Sequence, residues 1–599
     1  MATADAQRPR RTLWIGAAVV LLVVAAAALI WVVAARAGPA ISVYPDARVQ
    51  AASPETTVIV RGAPADELGD ATVTGSESGA HAGEWKPHPD GDGAAFVPAE
   101  PFVAGEEVTV DVGRTIAGID ADRTSFVIAR AAPSAPPPYD DAPTPGKEGI
   151  RHFRSAPALQ LPAVRVTTAT ADAGDGLVFV APKRGASRQG PLILDAAGDP
   201  VWFHPLPGDE QAFDFRTQEY EGKPVLTWWQ GKVATYRGYG TGRIVGTDYR
   251  RVKRVRMGNG YDVDAHEFQL TDRGTALMIS YHVVPWDLSE LRGRRDGIVE
   301  DCVVQEVDVA SGAVLFEWHT LGSIPLGESL RSAPKKEGQA HDPWHLNSVA
   351  LDADGNFIVS ARHTSTIYKV DRETGDILWR LGGERSDYAL QSGAEFHLQH
   401  DARRGANDTI SLFDNVAEDL PARGRRSRGL VLQLDEDAKT ASVAAEFQHP
   451  GTVLSGTQGS MQKLAGGGAF VGWGGMQPWM TEFGTDGEPV WDARFAARDV
   501  ESYRAYRLPW SAPAGEGHPA VAARAAGAGT DVWVSWNGAT GVAQWRVRPQ
   551  GGPVSTWPRD GFETAITLRR RVPALRVQAL DADGAVLGTS DRVVVGGSG

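Results

Sequence analysis

The chain has 599 residues, too many for a single hydrophobic core, so several domains are expected. Asp and Glu number 74 against 60 Lys and Arg, a net charge of −14 that repels phosphate backbones and argues against nucleic acid as a partner. The single cysteine, Cys302, excludes an intramolecular disulfide and a thiolate metal cluster. The 68 Gly, 38 Pro and 18 Trp suit many short strands better than long helices.

The first element is an uninterrupted apolar run of 23 residues, Leu13–Ala35. A bilayer-spanning helix needs roughly 20. Arg8, Arg10 and Arg11 precede the run, which places a short tail (1–12) in the cytoplasm and everything after the segment 13–36 outside. Ala35-Arg36-Ala37 also resembles a signal-peptide cleavage site. The run exceeds the ~7–15 residues of a signal core, and Trp14 and Trp31 sit at its ends as interfacial anchors, so a retained signal-anchor is expected. Either way the remainder is exported; with the anchor retained, the protein is single-pass in the cell membrane with the rest of the chain extracytoplasmic.

Residues 40–130 alternate in period two, as in TTVIVRG, GAAFVPA and EEVTVDV, the pattern of a small immunoglobulin-like sandwich. A Pro-rich linker (131–150) follows. Within 151–510 two phrases recur. One is a strand, a turn ending in Gly, and a second strand carrying an aromatic residue: LILDAAGDPVWFH, VVQEVDVASGAVLFEWH, IYKVDRETGDILWRL and MTEFGTDGEPVWDARF. The other is His, strand, polar turn, strand: HEFQLTDRGTALMISYH, HLNSVALDADGNFIVSARH and HDARRGANDTISLFDN, with Gln458 near the His position of a fourth copy. Two hairpins per unit predict four-stranded blades, and 177–206, 213–256, 264–320, 343–383, 398–448 and 457–496 count as six, with YRAYRLPW (503–510) closing the ring. The expected fold is all-β: a six-bladed β-propeller, flanked on its C-terminal side by a fibronectin-III-like sandwich (515–599).

Inner strands of a propeller converge on its axis, so His266, His345 and His400, each opening the inner-strand phrase of its own blade, are expected at one rim. Eight of the 14 histidines lie between 266 and 400. Asn347 shares the strand face of His345 by period two, and Arg362 ends the partner strand of the same hairpin. Three histidines could bind a metal, but no carboxylate belongs to the set and a converging Arg repels a cation, so no metal and no cofactor are expected. Imidazole, amide and guanidinium suit instead a small tetrahedral anion such as sulfate or phosphate. Trp228, Trp229 and Trp473 are candidates for stacking an aryl ring, with blade-core packing as the alternative. His341, His363 and His397 neighbour the set in structural roles.

At these residues the sequence resembles the bacterial arylsulfate sulfotransferases. The matching stretches are LILDAAGDPVW, DAHEFQLTDRG, WHLNSVALDADGNFIVSARHTSTIYKVD, WRLGG and LQHDAR, within about 190–475. The resemblance implies a six-bladed propeller that moves a sulfuryl group from an aryl sulfate to a phenol by a ping-pong route. It implies His400 as the histidine that takes the sulfuryl group, with His266, His345, Asn347 and Arg362 holding the sulfate oxygens; His266 or His345 would protonate the departing phenolate. The disulfide that enteric members keep near the site is absent here. The partners expected are small aryl sulfates and phenols and the membrane, with self-association left open. A quinone-dependent dehydrogenase and a non-catalytic envelope scaffold are the competing readings; the former has eight blades and an acidic calcium site.

Overall fold

The computed structural model describes residues 41–116, 121–130, 149–185, 187–416, 426–451, 453–475, 477 and 479–596. The apolar run Leu13–Ala35 and most of the Pro-rich linker lie outside the described residues. Among the described residues no helix is long and apolar enough to cross a membrane.

What is described is all-β apart from three single 3-10 turns. Near the N-terminus, strand Glu107–Ile116 points Val108, Val110 and Val112 to one side, as period two requires. Its four-stranded sheet shares a core with a second one through Val58, Val60, Ala94 and Phe96. The C-terminal residues repeat the arrangement: Val532, Val534 and Ile566 of one sheet pack on Trp545, Val547 and Val577 of another.

Between them lie six antiparallel sheets. Five begin at their own edge strand: β1 (Gln211–Tyr220), β2 (Phe268–Leu270), β3 (Leu346–Leu351), β4 (His400–Arg404) and β5 (Ser460–Lys463). The edge strand of the remaining sheet, β6 (Glu501–Leu508), comes from the far end of the chain and pairs with Leu177–Lys183. The YRAYRLPW segment therefore joins the first repeat to the last. Two additions have no precursor in the repeats. Val164–Ala169 extends the β5 sheet at its outer edge, and Ala389–Leu390 pairs in parallel with Thr440–Phe447.

The second strand of the Gly-turn phrase buries its Trp between sheets. Trp318 Nε1 donates to Gly375 O, and Trp491 Nε1 to Ala196 O, in each case a turn of the neighbouring sheet (2.9 and 2.8 Å). Burial of such a large ring with its N–H satisfied explains why these positions are aromatic.

Hydrogen bonds tie most neighbouring edge strands together. Leu270 N–H donates to Gln218, Asn347 Nδ2 to Gln399 O, Ala402 N–H to Ser348, Gln458 N–H to His400, Ala505 N–H to Ser460, and Arg504 to Asp214, which returns from β6 to β1. At their centre is a buried network of charges. Arg504, fully buried, contacts Asp214 at 2.9 Å, Glu267 at 3.3 Å and Asp401 at 3.5 Å. Arg403 reaches Glu267 and Asp401 at 2.7 and 2.8 Å, and Arg216 reaches Asp214 and Glu267 at 3.0 and 2.9 Å. Three guanidinium groups thus face three carboxylates. Burial pushes the Glu267 carboxyl up, but Arg403, Arg504 and Arg216 outweigh it and hold it well below the usual carboxylate range.

Candidate active site

His266, His345 and His400 stand at the same end of β2, β3 and β4, and each is fixed through Nδ1. Asp264 bends back two residues: its Oδ1 accepts the His266 backbone N–H at 3.0 Å and also the ring Nδ1–H. Asp342 does the same across three residues, taking the His345 N–H at 3.0 Å and Nδ1–H at 2.5 Å. Such local acid-to-backbone bonds are a general habit of Asp before a strand or helix, and here they hold His345 at a left-handed φ of 51°. His400 Nδ1–H donates to a neutral partner, Asn415 Oδ1, at 2.7 Å. Asn415 is itself locked by two donations, to Ser455 O at 2.9 Å and Gln458 O at 2.8 Å.

With Nδ1–H as the donor in these bonds, the neutral rings of His345 and His400 carry their lone pair on Nε2. No protein group among the described residues bonds Nε2 of His266 or His345, whereas His400 Nε2 accepts the Gln458 N–H at 3.2 Å. The His266 and His345 rings meet edge to face with centroids 5.0 Å apart. Burial, together with His266, Arg362 and Arg331, keeps His345 neutral by holding its pKa well below the ordinary value. Burial and then Arg362 do the same to His400, against the opposing bond to Asn415.

Arg362 lies beside His345: its N–H donates to His345 O at 3.0 Å. Its Nη2 donates to Gly456 O at 2.7 Å and its Nη1 to His363 Nε2 at 2.8 Å. His363, expected as structural, is therefore the ring on which the guanidinium rests, and burial drives its pKa down to about 3. Asn347 is fully buried, gives one amide proton to Gln399 O at 2.7 Å, and its carbonyl is held by Arg504 at 2.8 Å. His341 is tied by its backbone to Ile298 and Glu300, and His397 N–H donates to Asp414.

Two expectations need correction. Carboxylates do belong to the set: Asp264 and Asp342 are the hydrogen-bond partners of two of the histidines. Ligand atoms of Asp342, His345 and His363 even lie within 4.8 Å of one another, a spacing a cation could bridge. The Arg362 guanidinium already occupies His363 Nε2, however, and like charge opposes a cation there. The tryptophans are the second correction. Trp229 and Trp473 are fully buried and Trp228 is 3% exposed. Trp229 donates to Val263 O and Trp473 to Thr481, while Trp228 packs against Trp202 and Phe215. Each lies in the second strand of its sheet, or directly after it, and serves the packing between sheets.

The aromatic groups at the histidines are tyrosines. Tyr281 and Tyr503 stand 5.5 and 5.7 Å from the His266 ring, and Tyr236 stands 5.4 Å from His345. Tyr236 sits at the tip of the hairpin Lys223–Val245, whose Gly238 N–H also donates to Asp264 Oδ2 at 2.5 Å. A cleft of about 1320 Å³ lies elsewhere, between β5, β6 and the C-terminal sheets.

Three imidazoles and one guanidinium thus gather at one end of β2, β3 and β4 of an all-β protein, a donor set whose chemistry suits a small anion. Residues 216–496 match the family described as Arylsulfotransferase (ASST), which supports a place in that family and a sulfotransferase function in general. No curated protein matches the chain. Among solved structures, a protein of unknown function from Bacteroides caccae is 12% identical, with 56% of this chain and 100% of that chain covered and a TM-score of 0.34. A catalytically inactive virginiamycin B lyase from Staphylococcus aureus is 11% identical over 59% and 85% of the two chains, with a TM-score of 0.27. At these scores the likeness carries neither fold nor activity to this chain.

Proposed function

We propose that this protein is an arylsulfate sulfotransferase that transfers a sulfuryl group from an aryl sulfate to a phenol through a sulfo-histidine at His400. The six sheets are then the blades of a propeller (151–510), the paired sheets at either end are immunoglobulin-like and fibronectin-III-like modules, and Leu13–Ala35 anchors the chain with the catalytic part outside the cell. The observation that carries the reading is the shared Nδ1 anchoring of three histidines around Arg362. His400 differs from the other two in its partner. A carboxylate at Nδ1 strengthens a ring as a base, whereas the amide of Asn415 leaves His400 a free base with its lone pair on Nε2.

In the first half-reaction His400 Nε2 exchanges its long bond to Gln458 N–H for sulfur, the S–O(aryl) bond breaks, and the N–S bond forms. The Gln458 N–H released by this exchange is a donor for a sulfuryl oxygen, beside Arg362 and the remaining amide proton of Asn347. In the second half a phenol oxygen attacks sulfur and frees His400. Charge spread over three equatorial oxygens is what fixed donors stabilise best. Intact-mass measurement after exposure to 4-nitrophenyl sulfate, without any acceptor, tests the reading: an enzyme that gains one sulfuryl group is expected, and release of 4-nitrophenol with no mass gain would refute the two-step route.

Arg362→Lys keeps the charge but not the planar fork that spans His363 and Gly456. A loss of about 10²–10³ in transfer rate is expected, as for other transition-state donors. Turnover within threefold of wild type would remove Arg362 from the site. For the anchor, full-length protein is expected to fractionate with membranes; recovery of protein beginning at Gly38 would show cleavage instead.

A further inference from the structure

The mechanism above leaves the departing phenolate without a proton, and it gives no part to the buried acid Glu300. Glu300 is 1% exposed, on the strand Gly297–Asp308. Its Oε1 is 2.5 Å from the Tyr236 hydroxyl, and its Oε2 is buried with no hydrogen-bond partner among the described residues. Its backbone N–H donates to His341 O at 2.8 Å, which sets it next to Asp342, the carboxylate that holds His345. Tyr236 has the opposite aspect. Its ring is half-buried on the hairpin tip, 5.4 Å from His345 and 6.4 Å from Tyr281, so one side faces the histidines and the other end meets the buried acid.

We propose that Tyr236 protonates the phenolate that leaves in the first half-reaction and is reprotonated by Glu300, and that the pair takes the proton back from the acceptor phenol in the second. The inference rests on the sulfotransferase reading. The balance is simple: as the S–O bond breaks, its electron pair stays on the aryl oxygen, which takes the Tyr236 hydroxyl proton. The Glu300 proton crosses the 2.5 Å contact to the Tyr236 oxygen, leaving Glu300 as carboxylate. The acceptor phenol reverses both transfers, so no outside acid is consumed.

The surroundings suit a carboxyl that stays protonated at neutral pH. Burial comes first, then the Asp342 charge; these outweigh Arg237 and the Tyr236 bond, and with Asp264 adding to them the Glu300 pKa rises to about 8. Those four groups come from the hairpin (Tyr236, Arg237), the turn before His266 (Asp264) and the turn before His345 (Asp342). His345 itself is a poor acid, because it is held neutral.

A proton donor matters in proportion to how badly the leaving group needs one. Single-turnover release is therefore compared for phenyl sulfate, a poor leaving group, and 4-nitrophenyl sulfate, a good one. Tyr236→Phe keeps the ring and removes the proton; Glu300→Gln keeps a partner for the Tyr236 hydroxyl and so keeps the hairpin pinned. Both are expected to lose about 10²–10⁴ on phenyl sulfate, the usual weight of general acid catalysis, and at least tenfold less on 4-nitrophenyl sulfate. Wild-type release from phenyl sulfate should also fall as pH rises through about 8, a limb that Glu300→Gln abolishes. Equal losses on both donors would reduce the pair to a hairpin clamp and overturn the proposal. So would the same leaving-group selectivity appearing in His266→Ala and not in Tyr236→Phe, which would give the proton to His266. If wild-type protein releases phenol from neither donor, the sulfotransferase reading itself fails.

Discussion

His400→Ala is expected to release no phenol above background from any aryl sulfate in a single turnover and to gain no sulfuryl mass, whereas His266→Ala and His345→Ala are expected to retain slow release. The difference follows from what each ring is bonded to. His400 alone pairs Nδ1 with an amide, Asn415, so its Nε2 lone pair stays available for a covalent bond at neutral pH. His266 and His345 lean instead on Asp264 and Asp342, and in the proposed mechanism they orient the sulfuryl group. Removing a nucleophile removes the intermediate and with it both half-reactions; removing an orienting group lowers the rates of both. The adduct is expected to be acid-labile and base-tolerant, as an N–S bond is. Asn415→Asp adds a finer test. A carboxylate there favours the imidazolium, so adduct formation should fall and its pH profile should shift upward, by an amount mass spectrometry at a series of pH values reads directly. Sulfation that persists in His400→Ala, or that maps to His266 or His345, would move the nucleophile to that ring.

Much of this site is legible in the sequence because repeats carry it. His266, His345 and His400 open equivalent phrases, and the observed edge strands β2, β3 and β4 begin within two residues of them. The two acids that orient His266 and His345 are legible as well, in DAH and DPWH, but only to a reader who looks upstream. The bond runs backwards over two or three residues, outside the period-two logic of strands. Tyr236 is not legible at all. It reaches His345 by way of a hairpin in a different sheet, and its partner Glu300 lies 64 residues away. The tryptophans fail for the opposite reason: their number marks a packing rule between sheets, which a substrate-binding interpretation of Trp228, Trp229 and Trp473 overlooks. A second pattern, also visible in retrospect, is the acid that directly follows two of the histidines, Glu267 after His266 and Asp401 after His400. Consecutive residues on extended chain face opposite ways, so a histidine turned toward the site puts its neighbour into the buried charge network. At Asp401 a left-handed φ of 56° and the register shift between His400 and Arg403 complete the turn.

That network predicts the largest effect on stability. Among the described residues Arg504 is the one cation that touches all three acids, Asp214, Glu267 and Asp401, and it also holds the Asn347 backbone carbonyl. Arg504→Met preserves length and apolar bulk but leaves three buried carboxylates facing two guanidiniums. Breaking one partner out of a buried ionic cluster typically costs about 3–5 kcal/mol, because the stranded charge keeps its desolvation penalty and loses its compensation. The sign of the pH response follows from Glu267. Its folded-state pKa is depressed, so its contribution is present above its unfolded value and is lost as pH falls through the folded one. Removing Arg504 lessens that depression, and acid unfolding should therefore begin at higher pH than in wild type. The double change Arg504→Met with Asp214→Asn restores two charges against two and should recover part of the loss, although an apolar group at 504 still forfeits the bond to Asn347. Tryptophan fluorescence in a urea series, followed at several pH values, reports wild type and both variants, since Trp202, Trp318 and Trp491 are buried between these sheets. An Arg504→Met midpoint equal to wild type, or a double variant less stable than the single one, would mean that charge balance is not what ties the six edge strands together.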